Sequence, residues 1–176
     1  MNIPRIIIAG ATSGVGKTTI TAGIIAALKA RGIKVQPFKC GPDYIDPGYL
    51  TLASGRACRN LDSWLIPLDN LRGLFAHAVH EADIAVVEGV MGLYDGRYGT
   101  EANGSTAEIA RLLDIPVVLV LDVSRTSGSA AAMALGYRSL DTRINIAGVI
   151  LNYVGSPRHL QWTKEAVEKK AGIPVL

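Results

Sequence analysis

The sequence predicts an α/β fold, a mostly parallel sheet with helices on both faces. Three observations lead there. Short runs rich in Ile and Val recur along the chain, segments of helical period alternate with them, and the first run feeds a glycine-rich turn that opens a helix. Alternation of this kind, joined by right-handed crossovers, gathers the loops that follow the strands along one edge of the sheet, where ligands bind.

The strand signals come first. Apolar runs at 6–9, 33–38, 84–87, 117–121 and 146–151 are each bounded by Gly, Pro or polar residues, as buried strands require. Between them, Ile20, Ile24, Ala27 and Leu28 share one helical face, and so do Leu71, Leu74, Phe75, Ala78 and Val79. Ser105 followed by Glu108 reads as a capping box, and Ser156-Pro157 as a cap with proline in the first turn. Gly32 and Gly172 mark helix ends. The final residues, 172–176, repeat the Ile-Pro-Val pattern of 115–117, so a sixth strand is expected to begin there, and the chain reads as a fragment of a longer polypeptide.

Composition narrows the field. With 176 residues, the range 1–176 fits a single domain able to bury a core without disulfides or a structural metal, and 49% hydrophobic residues with 19 glycines suit a buried sheet with tight turns. The net charge of +3 comes from scattered basic residues, which gives no support for nucleic-acid binding. Cys40 and Cys58 fit neither a metal-ligand spacing nor a disulfide framework, so they read as ordinary thiols in a reducing, cytoplasmic setting. No apolar run is long enough to span a bilayer, so no membrane association is expected.

The chemistry starts after the first strand. Residues 11–18, A-T-S-G-V-G-K-T, form a P-loop in the expected strand-to-helix context, with Ala11 where the pattern has its first glycine. Backbone N–H groups from Thr12, Ser13, Gly14, Val15, Gly16 and Thr19, with the helix N-terminus, make a nest for phosphates; Lys17 reaches the outer phosphate oxygens and Thr18 offers a hydroxyl to Mg²⁺. After the second strand, K-C-G-P-D-Y-I-D-P-G-Y at 39–49 reads as a loop carrying a lysine, two carboxylates and two tyrosines beside the nucleotide. Asp43 is a candidate for the metal or the substrate, since hard cations prefer carboxylate oxygen, and Asp46 stays ambiguous between site and turn. The third strand delivers E-G-V-M-G-L-Y-D-G at 88–96, with Glu88 placed to hold metal or orient the attacking group and Asp95 in the loop beyond. Asn152 closes the fifth strand, where its amide suits the edge of adenine. Asp122, Ser124 and Ser127 are weaker candidates for lining the cavity, and Arg158 and His159 read equally well as surface residues.

Through the combination of K-C-G-P-D-Y-I-D-P-G-Y, E-G-V-M-G-L-Y-D-G and G-V-I-L-N at 148–152, the sequence closely resembles the N-terminal domain of the cobyrinic acid a,c-diamide synthases, glutamine-dependent amidoligases related in fold to dethiobiotin synthetase; the likeness covers essentially the whole chain. The resemblance implies a P-loop domain that binds ATP, Mg²⁺ and a corrinoid and phosphorylates the c and then the a side-chain carboxylate, so that ammonia displaces phosphate from each acyl phosphate. It implies Lys17 and Thr18 for phosphate and metal, Glu88 and Asp43 for metal and reacting centre, Asn152 for adenine, and Lys39, Tyr44, Asp46, Tyr94 and Asp95 on the substrate side. The family's glutaminase domain is missing from these residues, so ammonia is expected from a domain or subunit not present here; homodimerisation is left open. A dethiobiotin synthetase lacks the G-P-D-Y-I-D and M-G-L-Y-D-G segments, and partitioning-type switch ATPases carry a second lysine where Thr12 stands.

Overall fold

The computed structural model describes residues 3–98 and 103–176. Six strands form one sheet in the order β3-β2-β4-β1-β5-β6. They are β1 (Arg5–Gly10), β2 (Val35–Cys40), β3 (Arg59–Leu61), β4 (Ile84–Gly92), β5 (Val117–Asp122) and β6 (Ile146–Asn152), and every pairing is parallel. The helices are α1 (Lys17–Ala30), α2 (Asp46–Ser54), α3 (Leu68–Ala78), α4 (Thr106–Leu113), α5 (Ser129–Leu140) and α6 (Pro157–Ala171).

Side-chain alternation along the strands splits the core in two. Ile8, Val86, Val118 and Val120 pack with Ile25 of α1 and Leu50 of α2 on one face. Their neighbours Ile7, Val87, Leu119 and Leu121 pack on the other with Leu71 and Phe75 of α3, Ile109 of α4, Ala134 of α5 and Val167 of α6. The Phe38 and Phe75 rings stack with centroids 4.8 Å apart, fastening β2 to α3. Both faces are covered, as near-continuous apolar strands demand.

All five expected strands and the caps are present. The Ser105 hydroxyl accepts from the Glu108 N–H at 3.1 Å, and Ser156 accepts from His159 N–H at 3.1 Å. The strand expected near the end is a single parallel bridge, Val149 to Val175. Two differences concern the site. The segment 39–49 is not simply a loop: Lys39 lies in β2, and α2 starts at Asp46, with Pro47 accommodated in its first turn. Glu88 does not end its strand, because β4 continues to Gly92.

Candidate active site

The phosphate-binding turn leaves β1 at Gly10 and enters α1 at Lys17. Gly16 caps the helix at φ 92°, and a Cβ there would lie 2.4 Å from the Asn152 amide nitrogen, so both conformation and space require glycine. That amide nitrogen donates to Val15 O at 2.9 Å, pinning the turn to the end of β6. Lys17 folds back over the turn, its ammonium donating to Thr12 O at 3.1 Å. Burial, reinforced by the positive charge of Lys39, lowers the pKa of Lys17 below its ordinary value.

Lys39 and Glu88 are cross-strand partners in register between β2 and β4. Both belong to the alternation that faces α1 and α2, so the first turns of those helices close over them. Thr18 of α1 donates its hydroxyl to Glu88 Oε1 at 2.6 Å and stands 3.3 Å from Asp46 Oδ2 of α2. Lys39 Nζ lies 2.7 Å from Asp46 Oδ2, 3.0 Å from Glu88 Oε1, 3.3 Å from Gly89 O and 3.7 Å from Asp43 Oδ2. Glu88 is fully buried and Lys39 is 3% exposed. Burial works against the charge on Lys39, but its bond to Asp46 and the charge of Glu88 prevail and hold its pKa above the ordinary value. Burial pushes the Glu88 carboxyl up against the pull of Thr18 and Lys39.

These groups open on a cleft of about 430 Å³ lined by Ser13, Gly14, Thr19, Val90 and Met91 as well as the residues above. Its donors are hydroxyl and carboxylate oxygens, the set a hard divalent cation prefers. Glu88 Oε2, buried, has no hydrogen-bond partner, as expected of an oxygen reserved for a ligand. Among the described residues no three His, Cys, Asp or Glu side chains form a group able to hold a metal alone. A cation here therefore calls on Thr18 and on oxygens of a bound phosphate as well.

The structure thus brings together Ser13, Gly14, Gly16, Lys17, Thr18, Thr19, Lys39, Asp43, Asp46 and Glu88. It reverses the expected order of the two aspartates. Asp43 Oδ1 accepts from the N–H groups of Ile45 and Asp46 at 2.8 and 3.1 Å. Burial opposes ionisation of Asp43, but these two bonds and Lys39 outweigh it and lower its pKa. Asp46 is the carboxylate that reaches Thr18. Thr12 and Val15 line a separate hollow of about 230 Å³ with Asp122 and Ser124, on the β5 side of the turn. Tyr44, beside the cleft, is 91% exposed.

Two expected substrate-side residues are committed elsewhere. Tyr94 donates to Tyr137 O at 2.6 Å and stacks on the Tyr137 ring, while the Tyr137 hydroxyl donates to Ala11 O. Asp95 Oδ2 accepts from Gly92 N–H at 2.8 Å and closes the turn after β4. His159 is not merely a surface residue: Nδ1 accepts from Gly155 N–H at 3.2 Å, so Nε2 donates to Thr126 O at 2.6 Å and joins α6 to the loop after β5. Sequence reasoning missed Val90 and Met91, at the cleft, and Thr106, whose hydroxyl accepts from Val90 N–H at 2.9 Å and braces that lip. On the flank beyond β3, the Arg97 guanidinium lies 3.3 Å over the centroid of Trp64. Cys40 and Cys58 are free thiols, each pushed up to about 12 by burial, and neither is a ready nucleophile at neutral pH. Among the described residues no helix is long and apolar enough to cross a membrane.

Known proteins resemble this chain over its whole length. The cobyrinate a,c-diamide synthase of Dehalococcoides mccartyi is 59% identical over 176 residues, covering 100% of this chain and 38% of that protein. The hydrogenobyrinate a,c-diamide synthase of Streptomyces coelicolor is 53% identical over 174 residues, 99% of this chain and 36% of its own. The chain therefore spans under two-fifths of the length of these curated relatives. Among solved structures, chloroplast FtsY from Physcomitrella patens superposes with a TM-score of 0.65 at 20% identity, over 99% of this chain and 58% of that one. FtsY from Elizabethkingia anophelis in complex with GDP gives 0.67 at 17%, over 99% and 56%. At such identity these share the fold alone. The family model described as the CobQ/CobB/MinD/ParA nucleotide binding domain matches residues 6–176, and the chain belongs to that family.

Proposed function

We propose that this domain uses ATP and Mg²⁺ to phosphorylate the c and then the a side-chain carboxylate of cobyrinic or hydrogenobyrinic acid, preparing each for amidation by ammonia. The observation that carries the reading is the cluster of half-buried Thr18 and Asp46 around fully buried Glu88 beside the P-loop, with Glu88 Oε2 left unpartnered. The names of the relatives supply the substrate class. The exposed side chains of Tyr44 and Ile45 beside the cleft suit a large ring with apolar faces.

In this reading the backbone N–H groups of 12–19 and Lys17 hold the triphosphate. A substrate carboxylate oxygen attacks the γ-phosphorus, and the bond from that phosphorus to the ADP oxygen breaks. Ammonia then attacks the acyl carbon, the carbon–oxygen bond to phosphate breaks, and a proton is released. A carboxylate is a poor electrophile until its oxygen becomes part of a phosphate leaving group. Mg²⁺, when bound, supplies charge neutralisation at the transferring phosphoryl group, and Thr18, Glu88 and Asp46 would hold it, with Asp43 behind them. Asn152, already tied to the P-loop, is assigned to the adenine edge. Residues 1–176 act as the synthetase domain, in the cytoplasm, and ammonia comes from a glutaminase domain or subunit, because buried Cys40 and half-buried Cys58 are unsuited to that chemistry.

The test is to incubate the chain with Mg-ATP and cobyrinic acid, hydrogenobyrinic acid or nickel sirohydrochlorin, with ammonium or glutamine as nitrogen source, following ADP, amide and glutamate. ADP and amide are expected with ammonium and a corrinoid acid, and no glutamate from glutamine. Absence of ADP and amide with every acid refutes the reading, and glutamine hydrolysis by the purified chain refutes the assignment of the ammonia source.

A further inference from the structure

Lys39, expected on the substrate side, is engaged by groups of the protein itself. Its ammonium is 3% exposed and is surrounded by oxygens: Asp46 Oδ2 at 2.7 Å, Glu88 Oε1 at 3.0 Å, Gly89 O at 3.3 Å and Asp43 Oδ2 at 3.7 Å. Thr18 Oγ1 touches the same Glu88 and Asp46 oxygens. The oxygens suited to a divalent cation are thus already gathered around a cation supplied by the chain. A lysine in an apolar strand, in register with a glutamate on the neighbouring strand, is costly to bury unless the charges neutralise one another. The neighbouring Lys17 disfavours any surplus of positive charge.

We propose that Lys39 is a resident counter-cation of the metal pocket: it holds Glu88 and Asp46 in place while no divalent ion is present, and yields Asp46 when a metal–nucleotide complex arrives. The ammonium is then released toward the phosphate and acyl oxygens in the cleft. The exchange keeps the carboxylates from β4 and α2 converged and predicts that metal and nucleotide bind together: the ion alone must displace a buried ammonium, whereas phosphate oxygens give that ammonium a new partner. The inference rests on the metal–nucleotide reading above.

The experiment measures Mn²⁺ binding by electron paramagnetic resonance, with and without ADP, and thermal melting with and without Mg²⁺, in the wild-type chain, Lys39→Met and Lys39→Arg. Without nucleotide, the wild type and Lys39→Arg are expected to hold Mn²⁺ weakly. Lys39→Met, lacking the like charge among the same oxygens, should bind it tighter by on the order of tenfold. It should also melt lower than wild type in chelator and recover when Mg²⁺ is added. Lys39→Met that binds Mn²⁺ no better than wild type and ignores Mg²⁺ overturns the proposal. If that variant does not fold, a crystal structure of the wild type with Mg-ADP decides: a Lys39 ammonium that has left Asp46 supports the exchange, and one unmoved overturns it. Failure of the wild type to bind Mn-ADP at all would instead count against the underlying metal–nucleotide reading.

Discussion

Lys17 and Glu88 are both buried beside the cleft, and they carry opposite charges. In the proposed function Lys17 supplies a positive donor where phosphate charge develops, so Lys17→Ala should lower ATP-dependent phosphate release by about 10²–10³ while leaving the fold intact; turnover near wild type would mean that the phosphates lie elsewhere. Glu88→Gln keeps the shape and removes the negative charge. Nucleotide should still bind, while single-turnover ADP formation falls by a similar factor of about 10²–10³; normal ADP formation would remove Glu88 from the chemical step. At this scale much of the site was legible, because the P-loop and Glu88 are marked by residue type and by the strand before them. Which aspartate turns inward was not. Spacing alone treats Asp43 and Asp46 alike, and the choice depends on where α2 begins: Asp43 becomes the acceptor for its first N–H groups, and Asp46, one step inside the helix, faces Thr18. Tyr94 was equally illegible, since its partner Tyr137 is distant in sequence.

Elements with a start signal and a regular period were readable, and those without were not. β3 is only Arg59–Leu61, too short and too polar to show as an apolar run, and it exists because β2 offers it an edge. α2 hides behind Pro47 and Gly48, which read as turn chemistry, and α5 presents Ala130, Ala131 and Ala134 to the core in place of a branched apolar stripe. α4 shows the opposite case. Ser105 is fully buried and accepts from Glu108 N–H, while Glu108 reaches back to Gly104 N–H at 2.8 Å and accepts from the Ser63 hydroxyl. Ser105→Ala should cost about 1 kcal/mol and lower the melting temperature by about 2–4 °C. Because Thr106 of the same turn braces Val90, the variant should also speed hydrogen exchange at Val90. An unchanged melting temperature would show that the cap is replaceable.

For the molecule as a whole, two-sided burial was legible because strand runs with helices between them admit few other solutions. The strand order was not, since it depends on contacts between distant segments. One such contact is expected to set an acid limit. Asp141, just after α5, pairs with Arg143 and, at 2.7 Å, with Arg111 of α4. The Arg143 hydrogen bond, with Arg111 behind it and burial opposing, holds its carboxyl far below the usual range. A depressed folded pKa stabilises above the unfolded value of about 3.9 and is lost as pH falls through the folded value. Melting temperature should therefore decline below about pH 4, and Asp141→Asn should flatten that decline while lowering stability at neutral pH; an unchanged acid limb would place the sensitive carboxylates elsewhere. The strand order also has an optical side. The chain's two tryptophans follow opposite edge strands, Trp64 after β3 and Trp162 within α6 after β6. Replacing Trp162 by Phe leaves emission from the single indole beneath Arg97, a built-in fluorophore whose brightness and colour should report its contact with that guanidinium without an added dye.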